Sequence, residues 1–122
     1  MSTPAHVTIR EVALRDGLQI ESPIPLSAKL DMLAAIAATG VREVEATAFV
    51  SPSKVPALAD APELAAALSD YPDIEFSALV ASPNGVHRAI AAGFRSVEYV
   101  VSAADGHSQA PTLAWLLSLI HI

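Results

Sequence analysis

The sequence alternates between strand-like and helix-like segments, and this alternation constrains the fold more than any other feature. Strand-like patterns of β-branched and apolar residues cover 7–12, 41–50, 74–80 and 96–101. Helical patterns fill the gaps, one starting at Ser27 and two covering 62–68 and 86–92. Successive strands are about twenty or more residues apart, as parallel crossover connections require. The order β-α-β-α-β-α-β therefore predicts an α/β fold with a parallel sheet.

Two architectures satisfy this order: a small open doubly wound sheet and the first half of a (βα)8 barrel. Gly40 and Gly93 lie just before the second and fourth strands, so the returns from helix to strand are short. The strand-to-helix connections are longer and more polar. That asymmetry is typical of a barrel, whose functional loops follow the strands, but the pattern alone leaves both architectures open.

Helix-capping residues mark the ends of the helical segments. Ser27 is a good N-cap for the first helix, Leu33 lies on its apolar face, and Gly40 follows its end. Ser82 or Asn84 is suited to cap the third helix. With 52% hydrophobic residues, we expect one domain with its own core over residues 1–110.

Composition excludes several classes of function. Seven Lys and Arg against thirteen Asp and Glu give a net charge of −6 without a basic block, which argues against a nucleic-acid partner. No apolar stretch is long enough for a transmembrane helix, and residues 1–6 lack signal or presequence character, so we expect a cytoplasmic protein. Because the chain has no cysteine, a metal here must use carboxylate, imidazole or carbonyl ligands.

The first predicted strand is followed by a cation, an acid and a glycine in the sequence Arg15-Asp16-Gly17. A carboxylate just beyond a strand end is suited to hold a divalent cation, and an arginine beside it is suited to neutralise an oxyanion. The same three residues also make an ordinary capped turn. The local pattern alone favours the capped turn over a chemical role.

Two acids lie within segments of buried strand character. Glu45 is central to the second strand and Glu11 belongs to the first, where parallel strands are normally apolar. A buried carboxylate needs a partner, which Arg10, Arg15 or Arg42 would supply as an ion pair. Glu45 is nearer the carboxyl end of its strand, so a catalytic role is better supported there.

Four histidines include no pair at metal-ligand spacing. Only His107 lies on a predicted loop that follows a strand, where an ordinary loop histidine is the first interpretation and a contact with substrate is the alternative. Gly85 and Gly106 do not form a phosphate-binding loop pattern.

Three motifs together resemble the 3-hydroxy-3-methylglutaryl-CoA lyase family. They are EVALRDGLQ at 11–19, VEATAFVSPSKVP at 44–56 and LVASPN at 79–84, in the family's order. The second motif is the most specific, because wider metal-dependent aldolase and synthase relatives share the Arg-Asp-Gly but usually lack the Phe-Val-Ser-Pro run. The resemblance implies the N-terminal half of a (βα)8 TIM barrel, about four βα units.

The resemblance also implies the chemistry of a site. Asp16 would be a ligand for Mg²⁺ or Mn²⁺, Arg15 would stabilise the enolate of departing acetyl-CoA, and Glu45 would be the second-strand active-site glutamate. Gln19 would support the site next to the substrate. The reaction would cleave an acyl-CoA substrate to acetyl-CoA and acetoacetate, a step of leucine catabolism and ketone-body formation, in a parent protein that is a homo-oligomer.

The sequence departs from the family in two respects. The family's His-x-His pair, its later asparagine ligand and its glycine-rich loop cysteine have no counterpart, so we expect the 122-residue chain to be inactive alone. Ala46 and Ala48 stand where better-known members carry threonine and serine, which bears on the acyl group accepted.

Residues 111–122 are apolar throughout, and 117–122 resemble the translation of a sequencing adapter, so we expect a non-native tail.

Two other functions fit the same residues. One is a related metal-dependent aldolase or Claisen-type synthase, whose distinguishing residues would lie in a missing half. The other is a non-catalytic half-barrel that associates with a second copy, in which the Arg15 motif would be only a capped turn.

Overall fold

A computed structural model describes residues 5–101, which form a four-stranded parallel sheet and three helices. The strands are β1 Arg10–Glu11, β2 Glu43–Phe49, β3 Glu75–Val80 and β4 Ser96–Tyr99, and the helices are α1 Leu26–Ala38, α2 Ala61–Ala65 and α3 Pro83–Ala91. Short 3₁₀ turns at Pro56–Leu58 and Leu68–Asp70 flank α2. In this part of the chain, no helix is long and apolar enough to cross a membrane.

The strands lie in the sheet in chain order, β1-β2-β3-β4, and every neighbouring pair is parallel. A doubly wound sheet reverses its strand order at a switch point, whereas a barrel wall does not. All three helices pack on the same face of the sheet. The sequential order and one-sided helices are those of a barrel wall.

Two apolar clusters join the helices to the sheet. In the first, Leu33 of α1 packs against Val44 of β2 and Leu14, which follows β1. The second contains Phe49 and Phe94, whose rings meet edge to face with centroids 5.6 Å apart. Since Val44 and Phe49 both belong to β2, this strand is the centre of the core.

The first strand and first helix differ from the sequence prediction. Only Arg10–Glu11 of the predicted 7–12 strand pairs with β2, and Val7 and Ile9 are exposed. The prediction that Ser27 caps α1 is wrong, because the helix already begins at Leu26 and Pro25 is its N-cap. The Pro25 carbonyl accepts hydrogen bonds from the amides of Ala28 and Lys29, so the fixed φ of proline starts the helix two residues earlier.

The later elements follow the prediction with shifted ends. Helix α2 is shorter than the predicted 62–68: it ends at Ala65, and a 3₁₀ turn follows at Leu68–Asp70. Helix α3 starts at Pro83, and Ser82 is its cap: the Ser82 hydroxyl accepts a hydrogen bond from the Gly85 amide at 3.1 Å. Gly40 and Gly93 both have positive φ after their helices, as the predicted helix ends require.

Residues 1–4 and 102–122 lie outside the described part. His107, the predicted domain boundary at residue 110 and the predicted non-native tail at 111–122 belong to this stretch.

Candidate active site

The Arg15 motif forms a single π-helical turn, Ala13–Gly17, directly after β1. The amides of Arg15, Asp16 and Gly17 all point at the Val12 carbonyl, at 3.1, 2.7 and 3.3 Å. Such a turn is wider than an α-helical one and is frequent at functional sites. It projects Arg15 and Asp16 from the edge of the sheet formed by the carboxyl ends of the strands, which we call the rim.

Arg15 and Glu45 form the central ion pair of the rim. The Arg15 Nε atom lies 2.6 Å from the Glu45 Oε1 atom, and the Glu45 side chain is only 3% exposed. Burial of a carboxylate is costly unless a cation compensates it, and a guanidinium does so with directed N–H donors. Of the three arginines proposed as partners for Glu45, the structure brings Arg15 to it.

The pairing of β2 is irregular directly after Glu45. The pairing of β2 with β3 shifts between Glu45 and Thr47, so that Glu45 is opposite Ser77 and Thr47 is opposite Ala78. The residue between them, Ala46, is the extra residue of a β-bulge. Bulges re-aim side chains and are frequent next to active sites, and this one follows Glu45 immediately.

Gln19 completes the support of the Arg15 guanidinium. The Gln19 Oε1 atom accepts a hydrogen bond of 2.9 Å from the Arg15 Nη1 atom. Within residues 5–101, the contacts of Arg15 engage Nε and Nη1 only, so Nη2 keeps its donors for another molecule. The guanidinium is therefore oriented by its neighbours and is still able to bind an anionic oxygen.

Asp16 contrasts with Glu45 in its exposure. Its side chain is 66% exposed, and its Oδ1 atom lies 3.4 Å from the Arg15 Nη1 atom. A solvent-facing carboxylate of this kind fits the role of one hard ligand to a divalent cation. No group of three or more metal-ligating side chains exists among residues 5–101, however, so a closed site requires ligands from elsewhere.

The remaining acid, Glu11, has a different partner from those proposed. Its Oε1 atom accepts a hydrogen bond from the backbone amide of Ala13 at 2.8 Å, at the start of the π-helical turn. Arg10 is instead bound to Glu43, at 3.1 Å, and to Glu98. The hydrogen bond to Glu43 and the charge of Glu98 raise the pKa of the Arg10 guanidinium above its usual value. Glu11 thus stabilises the turn that carries Arg15.

Lys29 is a residue that the sequence reasoning missed. Its side chain is buried, and Nζ donates to the Ala57 carbonyl oxygen, at 2.5 Å, and to the Asp60 carboxylate. Its spacing of four residues from Leu33 was an available signal, because residues i and i+4 share one face of a helix.

Comparison with known proteins identifies relatives at the level of sequence. No family model matches the chain. The cytoplasmic 3-hydroxy-3-methylglutaryl-CoA lyase of Rattus norvegicus is 35% identical over 107 residues, 87% of this chain and 31% of the relative. The mitochondrial hydroxymethylglutaryl-CoA lyase of Arabidopsis thaliana is 38% identical over 106 residues, 86% of this chain and 23% of the relative. The chain thus spans a third or less of the length of these curated relatives.

Solved structures give the same result at the level of the fold. An HMG-CoA lyase from Acinetobacter baumannii, in complex with coenzyme A and 3-methylmalate, superposes with a TM-score of 0.84 at 29% identity. The match covers 93% of this chain and 40% of that chain. These neighbours are TIM barrels, which confirms the predicted barrel half. The chain therefore belongs to the HMG-CoA lyase family and comprises about four βα units of its barrel.

Proposed function

We propose that the protein to which this chain belongs cleaves the carbon–carbon bond of 3-hydroxy-3-methylglutaryl-CoA, or of a similar 3-hydroxyacyl-CoA. The products from 3-hydroxy-3-methylglutaryl-CoA are acetyl-CoA and acetoacetate. The observation that carries the proposal is the Arg15 guanidinium, held at the rim by buried Glu45 beside the exposed carboxylate of Asp16. The names of the relatives and the coenzyme A complex of the Acinetobacter baumannii neighbour support the same substrate class.

The reaction places a specific demand on the site. The substrate hydroxyl loses its proton and becomes a carbonyl while the adjacent carbon–carbon bond breaks. The electron pair of that bond moves into the acetyl-CoA fragment, as an enolate whose charge lies on the thioester oxygen, and a proton then gives acetyl-CoA. A donor fixed next to that oxygen stabilises the transition state more than the substrate.

Arg15 meets this demand because it remains charged and still has a donor atom available. Its side chain is 16% exposed, so it reaches the rim without being fully hydrated. Nη2 takes no partner from residues 5–101, and we assign it to the thioester oxygen. Glu45 and Gln19 fix the plane of the guanidinium before the substrate arrives, which avoids a reorganisation cost during the reaction.

Asp16 is proposed as one ligand of a Mg²⁺ or Mn²⁺ ion, whose other ligands lie outside the described residues. When bound, such a cation supplies Lewis-acid polarisation of substrate oxygen atoms. Gln19 and His107 are proposed as residues near the substrate. The relatives include a cytoplasmic and a mitochondrial protein, so a cytoplasmic location stays a prediction, as does homo-oligomer formation.

Acetoacetate release from 3-hydroxy-3-methylglutaryl-CoA, measured with Mg²⁺ or Mn²⁺, tests the proposal. We expect activity in a longer natural protein that contains residues 5–101, and none in the 122-residue chain, which brings one exposed carboxylate to the cation. Asp16→Asn should lower the activity of the longer protein at least about a hundredfold. The matched control is Asp31→Asn, an exposed carboxylate on α1, which should leave the activity unchanged.

Two outcomes would contradict the proposal. A longer protein that condenses acetyl-CoA with an oxo acid, or cleaves a substrate without a thioester, would be a synthase or an aldolase of the same superfamily. A compact dimer of the 122-residue chain with no response to either cation would favour the non-catalytic half-barrel. Product analysis identifies the first case, and size-exclusion chromatography with and without the cations identifies the second.

A further inference from the structure

Lys29 places a buried positive charge between two connections at the rim. It lies in the first turn of α1, which follows the connection that carries Arg15. Its partners, Ala57 and Asp60, belong to the β2–α2 connection, residues 50–60, which follows the strand that carries Glu45. One ammonium group therefore joins the two segments that lead away from the Arg15–Glu45 pair.

The burial of Lys29 requires an explanation, because lysine is almost never fully buried unless it is paired. Its exposed fraction is 1%, and Asp60, its ionic partner, is 27% exposed in its side chain. An apolar residue at this helix position would fill the space without the cost of desolvating a charge. The charge must therefore contribute through the geometry of the groups that it binds.

Those groups lie at the buried end of the β2–α2 connection, which also contains the 3₁₀ turn Pro56–Leu58. The β2–α2 connection contains Pro52 and Pro56, and its first part, residues 51–54, is exposed. Only its second part is buried, at Ala57 and Leu58, beside the contact with Lys29. The Ala57 carbonyl and the Asp60 carboxylate both accept hydrogen bonds from the Lys29 Nζ atom, so this contact fixes where the connection meets α1.

Helix α1, which carries Lys29, also packs against the π-helical turn Ala13–Gly17. Leu33, one turn after Lys29, contacts Leu14 in the π-helical turn and Val44 on β2. The position of α1 is thus coupled to Arg15 on one side and to the β2–α2 connection on the other.

We propose that Lys29 is a positioning residue that holds the β2–α2 connection as one wall of the acyl-CoA site. This assignment rests on the proposed function for the nature of the ligand, whereas the clamp itself does not depend on it. Without the ammonium, the connection detaches from α1 and the wall is lost, while the Arg15–Glu45 pair remains.

Amide hydrogen exchange on the 122-residue chain tests the clamp. Lys29→Met and Asp60→Leu should speed exchange at 57–60 at least about tenfold, because a hydrogen bond to a charged group is lost, while β3 changes less than about threefold. Asp60→Asn keeps an accepting oxygen and should have a smaller effect. The matched control is Lys54→Met, on the exposed part of the same connection, which should leave the exchange rates at 57–60 unchanged.

Kinetics on a longer, lyase-active protein test the wall. Lys29→Met should raise KM for the acyl-CoA about tenfold and leave kcat within about twofold, since the wall binds substrate without taking part in the chemistry. A fall in kcat with an unchanged KM would overturn this role.

Unchanged exchange at 57–60 in a folded Lys29→Met chain, or equal acceleration at 57–60 and β3, would overturn the clamp. If Lys29→Met does not fold, Asp60→Leu decides by the same criteria. If none of the longer proteins that contain this chain has lyase activity, the proposed function fails, and the assignment of the wall fails with it. The exchange data still decide whether Lys29 acts as a clamp.

Discussion

The Arg15 guanidinium lies between two carboxylates that differ in their exposure to water. Glu45 is nearly inaccessible, with a side chain that is 3% exposed, whereas Asp16 is 66% exposed. A buried pair loses much of its stabilisation when one member is removed, because the other charge stays uncompensated. A surface pair contributes little. The Arg15–Glu45 contact is therefore the one that links the site to stability.

We expect strong coupling between substitutions of this pair. Arg15→Met should lower the free energy of unfolding by about 3–5 kcal/mol, because buried Glu45 loses its cation. Glu45→Gln should cost less, and the double variant should be at least about 1 kcal/mol more stable than the sum of the single effects predicts. Urea unfolding of the 122-residue chain measures all three.

The control for this cycle is Arg42→Met, at an exposed arginine next to β2. It should change the free energy of unfolding by less than about 0.5 kcal/mol. Additive effects of Arg15→Met and Glu45→Gln would contradict the assignment of the pair as one unit.

At the residue scale, the sequence allowed the prediction of the acid in the strand and the arginine that compensates it. A charge inside a buried-type strand demands a partner, and Arg15 was among the candidates. The partner of Glu11 was not predictable in the same way, because a backbone amide leaves no mark in the sequence. Lys29 was missed because lysine is normally read as exposed, and Asp60 becomes its partner only after folding.

At the scale of elements, α3 packs unusually close to the end of β2. A Cβ atom at Gly85 would lie 2.5 Å from the Phe49 carbonyl oxygen and 3.3 Å from the Val80 Cβ atom. The obstacle at 2.5 Å is backbone, which cannot rotate away as a side chain does. The helix therefore needs glycine at this position to reach its place behind the rim.

Gly85→Ala should lower the free energy of unfolding by about 1–3 kcal/mol, because α3 must move away from β2. The control is Gly17→Ala, where the nearest atom to a new Cβ is the Ala13 Cβ at 3.7 Å, an ordinary contact. That variant should be neutral or slightly more stable. Chemical unfolding of both chains makes the comparison, and equal costs would show that close packing is not the cause.

A second prediction concerns the start of the same helix. Ser82→Ala removes the hydroxyl that accepts from the Gly85 amide, and should cost about 0.5–2 kcal/mol. Asn84→Ala, at the other cap candidate, should cost less because Asn84 lies inside α3. Thermal unfolding followed by circular dichroism checks both variants, and a larger loss for Asn84→Ala would contradict the capping assignment.

Element order and type were predictable from periodicity, whereas several ends and one turn were not. The start of α1 depends on competition between Ser27 and Pro25, which two local preferences cannot settle. The π-helical turn needs three amides to share the Val12 carbonyl, a geometry without a sequence signature. The β-bulge after Glu45 depends on the register with β3, which no single strand reveals.

At the scale of the whole described sheet, β4 is one of the two edge strands, with β1 at the other edge, and its residue Val97 is 37% exposed. An edge strand with unpaired backbone groups favours association between chains. We expect Val97→Lys to reduce concentration-dependent association of the 122-residue chain, as measured by sedimentation velocity. Ile90→Lys, on α3 and 62% exposed, should reduce it less, because a helical residue offers no unpaired strand backbone to a second chain. An equal effect of both variants would argue against association through β4.

The fold class was predictable from the sequence pattern, whereas the choice between the two architectures was not. The alternation of strands and helices predicted a parallel α/β fold, and the short helix-to-strand returns favoured a barrel. The choice between a barrel and a doubly wound sheet depends on strand order, which is a property of pairing rather than of any segment. The motifs at 11–19, 44–56 and 79–84 supplied that information through their resemblance to a family, and the observed order β1-β2-β3-β4 agrees with it.

The contacts of Arg10 have a consequence for the shape of the sheet. Arg10 on β1 binds Glu98 on β4, although β2 and β3 lie between them in the sheet. On a flat sheet the two strands would lie three steps of about 4.8 Å apart, and side chains that stand perpendicular to the sheet would not reach each other. The contact therefore fits four strands that curve together, with Arg10 and Glu98 on the concave side. The curvature of a barrel sheet is thus already present in strands β1 to β4.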